Sequence, residues 1–308
     1  MAEQTQTFKE KWLAAVKEKN SILCAGLDPA EFAMGRKEKG LSEGADKLDW
    51  AFKYIGAVAP YCAALKPNIQ YWKQNGDMQG LEMVIDRAHQ EGMVVIEDSK
   101  LADIGTTNDA GMFYARHKTV DAITLALFAG NIQEAEKQLR KREIGGIHMC
   151  LMSNPDYERE KKKLVPLTGE EEMGYTTKDV ITFGDGSKFI PQYIQLAHNS
   201  HKFGLDGIVI GAPSKSDPEK GIKGNHITEY EIQTASRYFP DGLVLVPGVG
   251  AQGGNAAALF KYFNADHLIV SESRSLMLPN GSNSTPAQQA AAAEKSRDML
   301  NRFRASAT

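Results

Sequence analysis

The strongest constraint on this chain is a change of hydrophobic period that recurs eight times along it. Short runs that are apolar on both faces alternate with longer stretches whose apolar residues fall at helical spacing. That rhythm is the signature of β-α-β units around a parallel sheet, whose strands are covered on both sides. The strand runs are 21–28 (SILCAGLD), 62–68 (CAALKPN), 93–100 (MVVIEDSK), 122–128 (AITLALF), 146–153 (GIHMCLMS), 207–212 (GIVIGA), 243–249 (LVLVPGV) and 267–273 (HLIVSES). Helices are predicted over 46–59, 78–91, 107–117, 131–142, 188–202, 227–238, 254–263 and 286–304, with a leading helix near 5–19 closing the barrel floor. Eight strand–helix pairs in 308 residues predict an α/β chain folded as one (β/α)8 TIM barrel domain, 1–308, with an N-terminal helix within 1–20.

Composition narrows the partners. With 42% apolar and 24% charged residues the chain has material for a large core, which excludes disorder, collagen and coiled coil as overall classes. The 36 Lys+Arg and 39 Asp+Glu give 36 − 39 = −3, no electrostatic footprint for nucleic acid or an anionic membrane. Cys24, Cys62 and Cys150 are widely spaced in apolar runs and read as reduced core residues. The opening MAEQTQTFKEKW lacks a signal-peptide layout, and no run approaches the about 18 apolar residues of a membrane span. A cytoplasmic location is expected.

Two connections exceed the usual length of βα loops. Residues 29–45 follow the first strand, and 154–188, with its charged YEREKKK and EEE runs and the FGDGSK turn, follow the fifth. Both leave the strand ends where barrel enzymes build their sites, so the second is expected as a lid over the substrate.

The chemistry concentrates in 97–108, EDSKLADIGTTN. Asp98 and Lys100 lie two apart at a strand end, so they project from one side, the interior in a closed barrel. Charges there are costly unless paired. Asp103 follows three residues later, and Thr106, Thr107 or Asn108 would serve to cap the next helix. The second strand ends in LKPN, which brings Lys66 to the same barrel end; the first ends in GLD, which brings Asp28. Lys66, Asp98, Lys100 and Asp103 would then alternate in sign, an arrangement that keeps both lysines protonated. After the seventh strand comes the glycine-rich PGVGAQGG, and after the eighth SESRS offers Arg274. Those are the two loops that form the phosphate pocket of such barrels, and Gln252 would add a side-chain donor.

These motifs together, GLD, LKPN, DSKLADIGTT, LMSNP, PGVGAQGG and the arginine of SESRS, resemble the orotidine 5'-monophosphate decarboxylase family from about residue 22 to residue 276. The resemblance implies orotidine 5'-monophosphate (OMP) as substrate, UMP and CO2 as products, no cofactor, and a homodimer in which Asp103 and Thr107 complete the partner's site. It further implies that Asp28 and Lys66 hold ribose hydroxyls and that Ser153 contacts the pyrimidine amide edge. Gln252 would bridge base and phosphate, and Arg274, with the amide beside it at Ser273, would clamp the phosphate. Asp98 and Asp103 would crowd the departing carboxylate while Lys100 stabilises and protonates the C6 carbanion. Leu101 and Ala102 stand where Arg-Gly is frequent in the family, and Ser271-Glu272-Ser273 precede Arg274 where Val-Gly is frequent.

Two other readings compete. Magnesium-dependent sugar-phosphate decarboxylases and aldolases of the same superfamily resemble this pattern with a glutamate where Lys66 stands. A non-catalytic nucleotide-binding barrel is the other. Outside the motifs, His198 and His201 read as a polar surface pair, His148 as a hydrogen-bonded core residue, and Trp12, Trp50 and Trp72 as packing anchors.

Overall fold

A computed structural model of the chain describes residues 6–74, 76–214, 216–217, 222–249 and 256–307. Eight strands close into a barrel: β1 (Leu23–Leu27), β2 (Ala64–Pro67), β3 (Val94–Leu101), β4 (Ala122–Leu125), β5 (Gly145–Leu151), β6 (Gly207–Ile210), β7 (Leu243–Pro247) and β8 (Leu268–Glu272). Each pairs in parallel with its sequence neighbours, and β8 returns to β1 through Leu23↔Val270. This is the (β/α)8 TIM barrel expected from the sequence. Side chains fill the inner face and helices cover the outer one, so β1 and β5 are buried from end to end. In β3 and β7 exposure begins only at the last residues, marking the open mouth of the barrel.

The N-terminal helix α1 (Phe8–Lys19) starts with a capping box between Thr7 and Glu10 and ends with Lys17 and Lys19 near its carbonyl terminus. It closes the floor. The Trp12 ring is fully buried and its Nε1 donates to the Asp266 carbonyl at 2.8 Å, just ahead of β8. A Cβ on Gly145, the first residue of β5, would lie 2.5 Å from the Phe8 side chain, so glycine there lets the helix seat against the strand.

The outer ring comprises α2 (Lys47–Val58), α3 (Asp77–Gln90), α4 (Gly105–His117), α5 (Ile132–Arg142), α6 (Gln192–Lys202), α7 (Glu229–Tyr238), the single turns α8 (Ala257–Phe260) and α9 (Arg274–Met277), and α10 (Pro286–Ala307). The helix predicted over 188–202 begins only at Gln192. Pro191 disfavours helical backbone in the residue before it, and 188–191 pair as a strand instead.

That strand belongs to the long connection after β5. Leu164–Pro166, Ile181–Thr182 and Lys188–Pro191 form an antiparallel sheet with the last of them in the centre. The Lys161 ammonium, fully buried, meets Glu231 at 2.7 Å in the first turn of α7 and donates to the His226 carbonyl. Asp179 accepts from Tyr238 Oη at 2.9 Å and pairs with Arg237 in the last turn of the same helix. The segment expected as a lid is thus moored along the outside of the barrel, from one end of α7 to the other.

Trp72, like Trp12, is buried, and all three cysteines are free and buried. His148 is a core residue. Its Nε2 accepts the Leu127 amide at 3.2 Å, so its proton sits on Nδ1, which faces Ser200 Oγ at 3.1 Å. Burial pushes the imidazole down to about 4. The folded state therefore keeps His148 neutral where the unfolded chain takes up a proton below about pH 6.5. Its stabilisation is complete above that pH and is lost as pH falls toward 4, a change on the order of 3 kcal/mol. In urea titrations between pH 7 and pH 4.5, H148Q is expected to lose stability less steeply than the parent; parallel slopes would contradict the assignment.

Candidate active site

Every site residue anticipated from sequence within the described residues lies at or just beyond the carboxyl ends of the barrel strands. Lys66 occupies the third position of β2, where it pairs in register with Gly26 of β1. Asp98 lies near the end of β3 and is bridged to Asn68, the first residue past β2. These positions bring Lys66 Nζ to 2.8 Å from Asp98 Oδ2 while Lys100 Nζ binds Asp98 Oδ1. The two lysines bracket one carboxylate.

Burial separates their roles. Lys66 and Asp98 are 6% and 8% exposed, whereas half of the Lys100 side chain faces the mouth. Burial alone would lower the Lys66 ammonium, but the charges of Asp98 and Asp28 outweigh it and hold the group above its ordinary value. Burial likewise opposes ionisation of Asp98, and the ammonium groups of Lys66 and Lys100 overcome it, keeping the carboxyl well below the usual carboxylate range. Lys66 and Asp98 are thereby fixed as a charged pair. A third partner of Asp98 is Thr124 of β4, whose Oγ1 donates to Oδ1 at 3.1 Å and accepts the Lys100 amide at 2.9 Å.

Asp103 does not join this group within its own chain. Its carboxylate accepts the Ile104 amide at 2.8 Å, and among the described residues no hydrogen bond or ion pair links it to Lys66, Asp98 or Lys100. The backbone leaves β3 at Leu101, so the next residues turn out over the rim. There α5 pins them: the side chain at its N-cap, Asn131 Nδ2, donates to the Asp103 carbonyl and Gln138 Nε2 to the Gly105 carbonyl, each at 3.0 Å. Thr107 is exposed in the first turn of α4. Neither Thr106, Thr107 nor Asn108 caps that helix, since its N-cap is Ile104.

Around the charged group stand the anticipated binding residues. Asp28 follows β1, and its Oδ1 is buried with no hydrogen-bond partner among the described residues. Such an orphaned acceptor costs about 1–3 kcal/mol unless a ligand hydroxyl or water satisfies it. Ser153, two residues past β5, packs against Gly211, where a Cβ would come within 2.9 Å of its own Cβ. Ser273 rests on Gly26, where a Cβ would lie 1.9 Å from its Oγ; the end of β8 folds over β1 only because that position is glycine. Arg274 opens α9 with an exposed guanidinium. Gln252, with most of the glycine-rich turn, lies outside the described residues.

A sequence model of the orotidine 5'-phosphate decarboxylase / HUMPS family matches residues 21–269, which takes in the barrel from β1 into β8. The chain belongs to that family. Among curated members, an orotidine 5'-phosphate decarboxylase of Halobacterium salinarum is 28% identical over 97% of this chain and 100% of its own, and one of Variovorax paradoxus is 27% identical over 96% and 98%. The solved structure of Leishmania donovani OMP decarboxylase superposes with a TM-score of 0.69, at 20% identity, over 97% of this chain and 99% of that one. At that identity the superposition speaks for the fold.

Within the family frame, the residues that sequence reasoning missed are Thr124 and Asn131. Thr124 sits in AITLALF, where a threonine reads only as a good strand former. Asn131 reads as a helix N-cap, yet makes no capping bond and reaches back to Asp103 instead.

Proposed function

We propose that this chain decarboxylates orotidine 5'-monophosphate to UMP and CO2 in pyrimidine biosynthesis, with no cofactor, and that Lys100 protonates C6. The observation that carries this reading is the line Lys66–Asp98–Lys100 at the barrel mouth, with one ammonium buried and the other facing the opening. Breaking the C6–carboxylate bond leaves its electron pair in an sp² orbital of C6, outside the ring π system, so a nearby positive charge must stabilise it. The Lys100 ammonium supplies that charge and then its proton, and the resulting amine recovers a proton from water. Asp98 holds Lys100 in place and opposes the substrate carboxylate.

The remaining assignments support the same substrate. The orphaned Asp28 oxygen suits a ribose hydroxyl, Ser153 the pyrimidine amide edge, and Ser273 and Arg274 the phosphate. Lys66 disfavours the magnesium-dependent alternative, because both Asp98 oxygens already carry ammonium groups and a divalent cation beside them would be repelled. For Asp103 and Thr107 we infer a homodimer in which they enter the other subunit's mouth. Exposed Ile104 and Phe128, on the two segments that Asn131 ties together, offer apolar surface for that contact. A cytoplasmic location agrees with the three free thiols and with the lack, among the described residues, of any helix able to cross a membrane.

Incubating the purified protein with OMP and following the orotidylate absorbance tests the activity. Absence of turnover, or turnover that requires magnesium, would overturn it. For the phosphate clamp, R274A is expected to weaken UMP binding about 10- to 100-fold, the worth of a charge-assisted bidentate contact, while uridine binding barely moves. Equal losses for nucleotide and nucleoside would remove Arg274 from the site.

A further inference from the structure

Strands β3 and β4 pair regularly up to Glu97↔Ile123 and resume at Leu101↔Leu125, so four steps along β3 match two along β4. Residues 98–100 are lifted out of the ladder as a bulge, a device that re-aims side chains at the cost of regular backbone pairing. Thr124, the single residue between the two register points, takes up the displaced groups. Its Oγ1 accepts the Lys100 amide at 2.9 Å and donates to Asp98 Oδ1 at 3.1 Å, while its carbonyl accepts Ser99 Oγ at 3.2 Å. A hydroxyl has one proton, so both directions are fixed: the amide donates in and the carboxylate receives. Lys100 adopts a φ of 47°, a left-handed conformation that a residue with a side chain holds only where its surroundings impose it.

We propose that Thr124 is a positioning residue for the reaction, its hydroxyl holding Lys100 in the left-handed conformation and Asp98 in the orientation that aims ammonium and carboxylate together into the mouth. Thr124 is 1% exposed and its bonds go to Asp98 and the Lys100 backbone, so it acts through them. The proposal rests on decarboxylation as the reaction. Valine in its place keeps the shape and the strand preference and removes both bonds.

T124V is expected to lower kcat for OMP about 10- to 100-fold, the scale of an ångström-level misplacement, with KM changed less than about threefold. T124S, which keeps the hydroxyl, is expected to recover kcat to within about threefold of the parent. A crystal structure of T124V is expected to show Lys100 out of the left-handed region. Should T124V fail to fold, T124A removes the same hydroxyl and gives the same readings. A purely packing role would lower the melting temperature and leave kcat of the folded enzyme unchanged. The proposal is overturned if kcat of T124V stays within about twofold of the parent, if T124S is no better than T124V, or if Lys100 keeps its conformation in the variant crystal. A parent protein inert toward OMP would count against the proposed reaction instead, and the Lys100 backbone in T124V crystals would still decide the positioning.

Discussion

Replacing Lys100 by alanine is expected to abolish OMP turnover while leaving UMP binding measurable. Two unit charges about 4 Å apart interact by roughly 4 kcal/mol at an effective dielectric near 20, equivalent to about three decades in rate when the contact is made only in the transition state. Loss of the proton donor adds to this, so the deficit should exceed a thousandfold on the order set by that estimate. Lys66 and Asp98 stay paired without Lys100, because their contact does not pass through it. Single-turnover kinetics and UMP titration of K100A separate the two effects. Turnover close to that of the parent would end the assignment of Lys100.

The second large effect tests whether sites are shared between subunits. D103A is expected to lose turnover by two decades or more, comparable to losing a key group in the transition state. Mixing inactive K100A and D103A protomers is then expected to restore activity. In a mixed dimer one mouth has both defects and the other has neither. Random reassortment makes half the dimers mixed, so recovery approaches about a quarter of the parent activity. Activity that stays at the level of the separate variants after exchange would show that Asp103 serves its own chain or no chain.

What the sequence disclosed follows from how each feature is encoded. Parallel barrel strands are buried on both faces, so their apolar runs are continuous, and all eight were placed with only their ends shifted. Lys66, Asp98 and Lys100 were legible because a charge at the end of an apolar strand run is expensive and has to be paired. Features that depend on cross-strand register were not legible. Thr124 matters only because β3 carries two extra residues opposite it, which no reading of AITLALF discloses. The sheet within 164–191 joins segments more than 20 residues apart, Leu164 with Pro191, through a charged intervening stretch that reads as solvated loop. Asp103 escapes for another reason: its sequence spacing suggests a fourth member of the charge line, while the backbone carries it over the rim.

The bracketing of Asp98 by two lysines has a bearing on what an isolated subunit can do. The line itself has two cations around one anion, and Asp28, whose charge also acts on Lys66, brings the four groups to neutrality within one chain. In the proposed homodimer an incoming Asp103 carboxylate makes that balance negative and gives the departing CO2 group a second anion, beside Asp98, to be pushed from. If sites are shared in that way, dilution of the proposed dimer is expected to lower specific activity without unfolding either barrel.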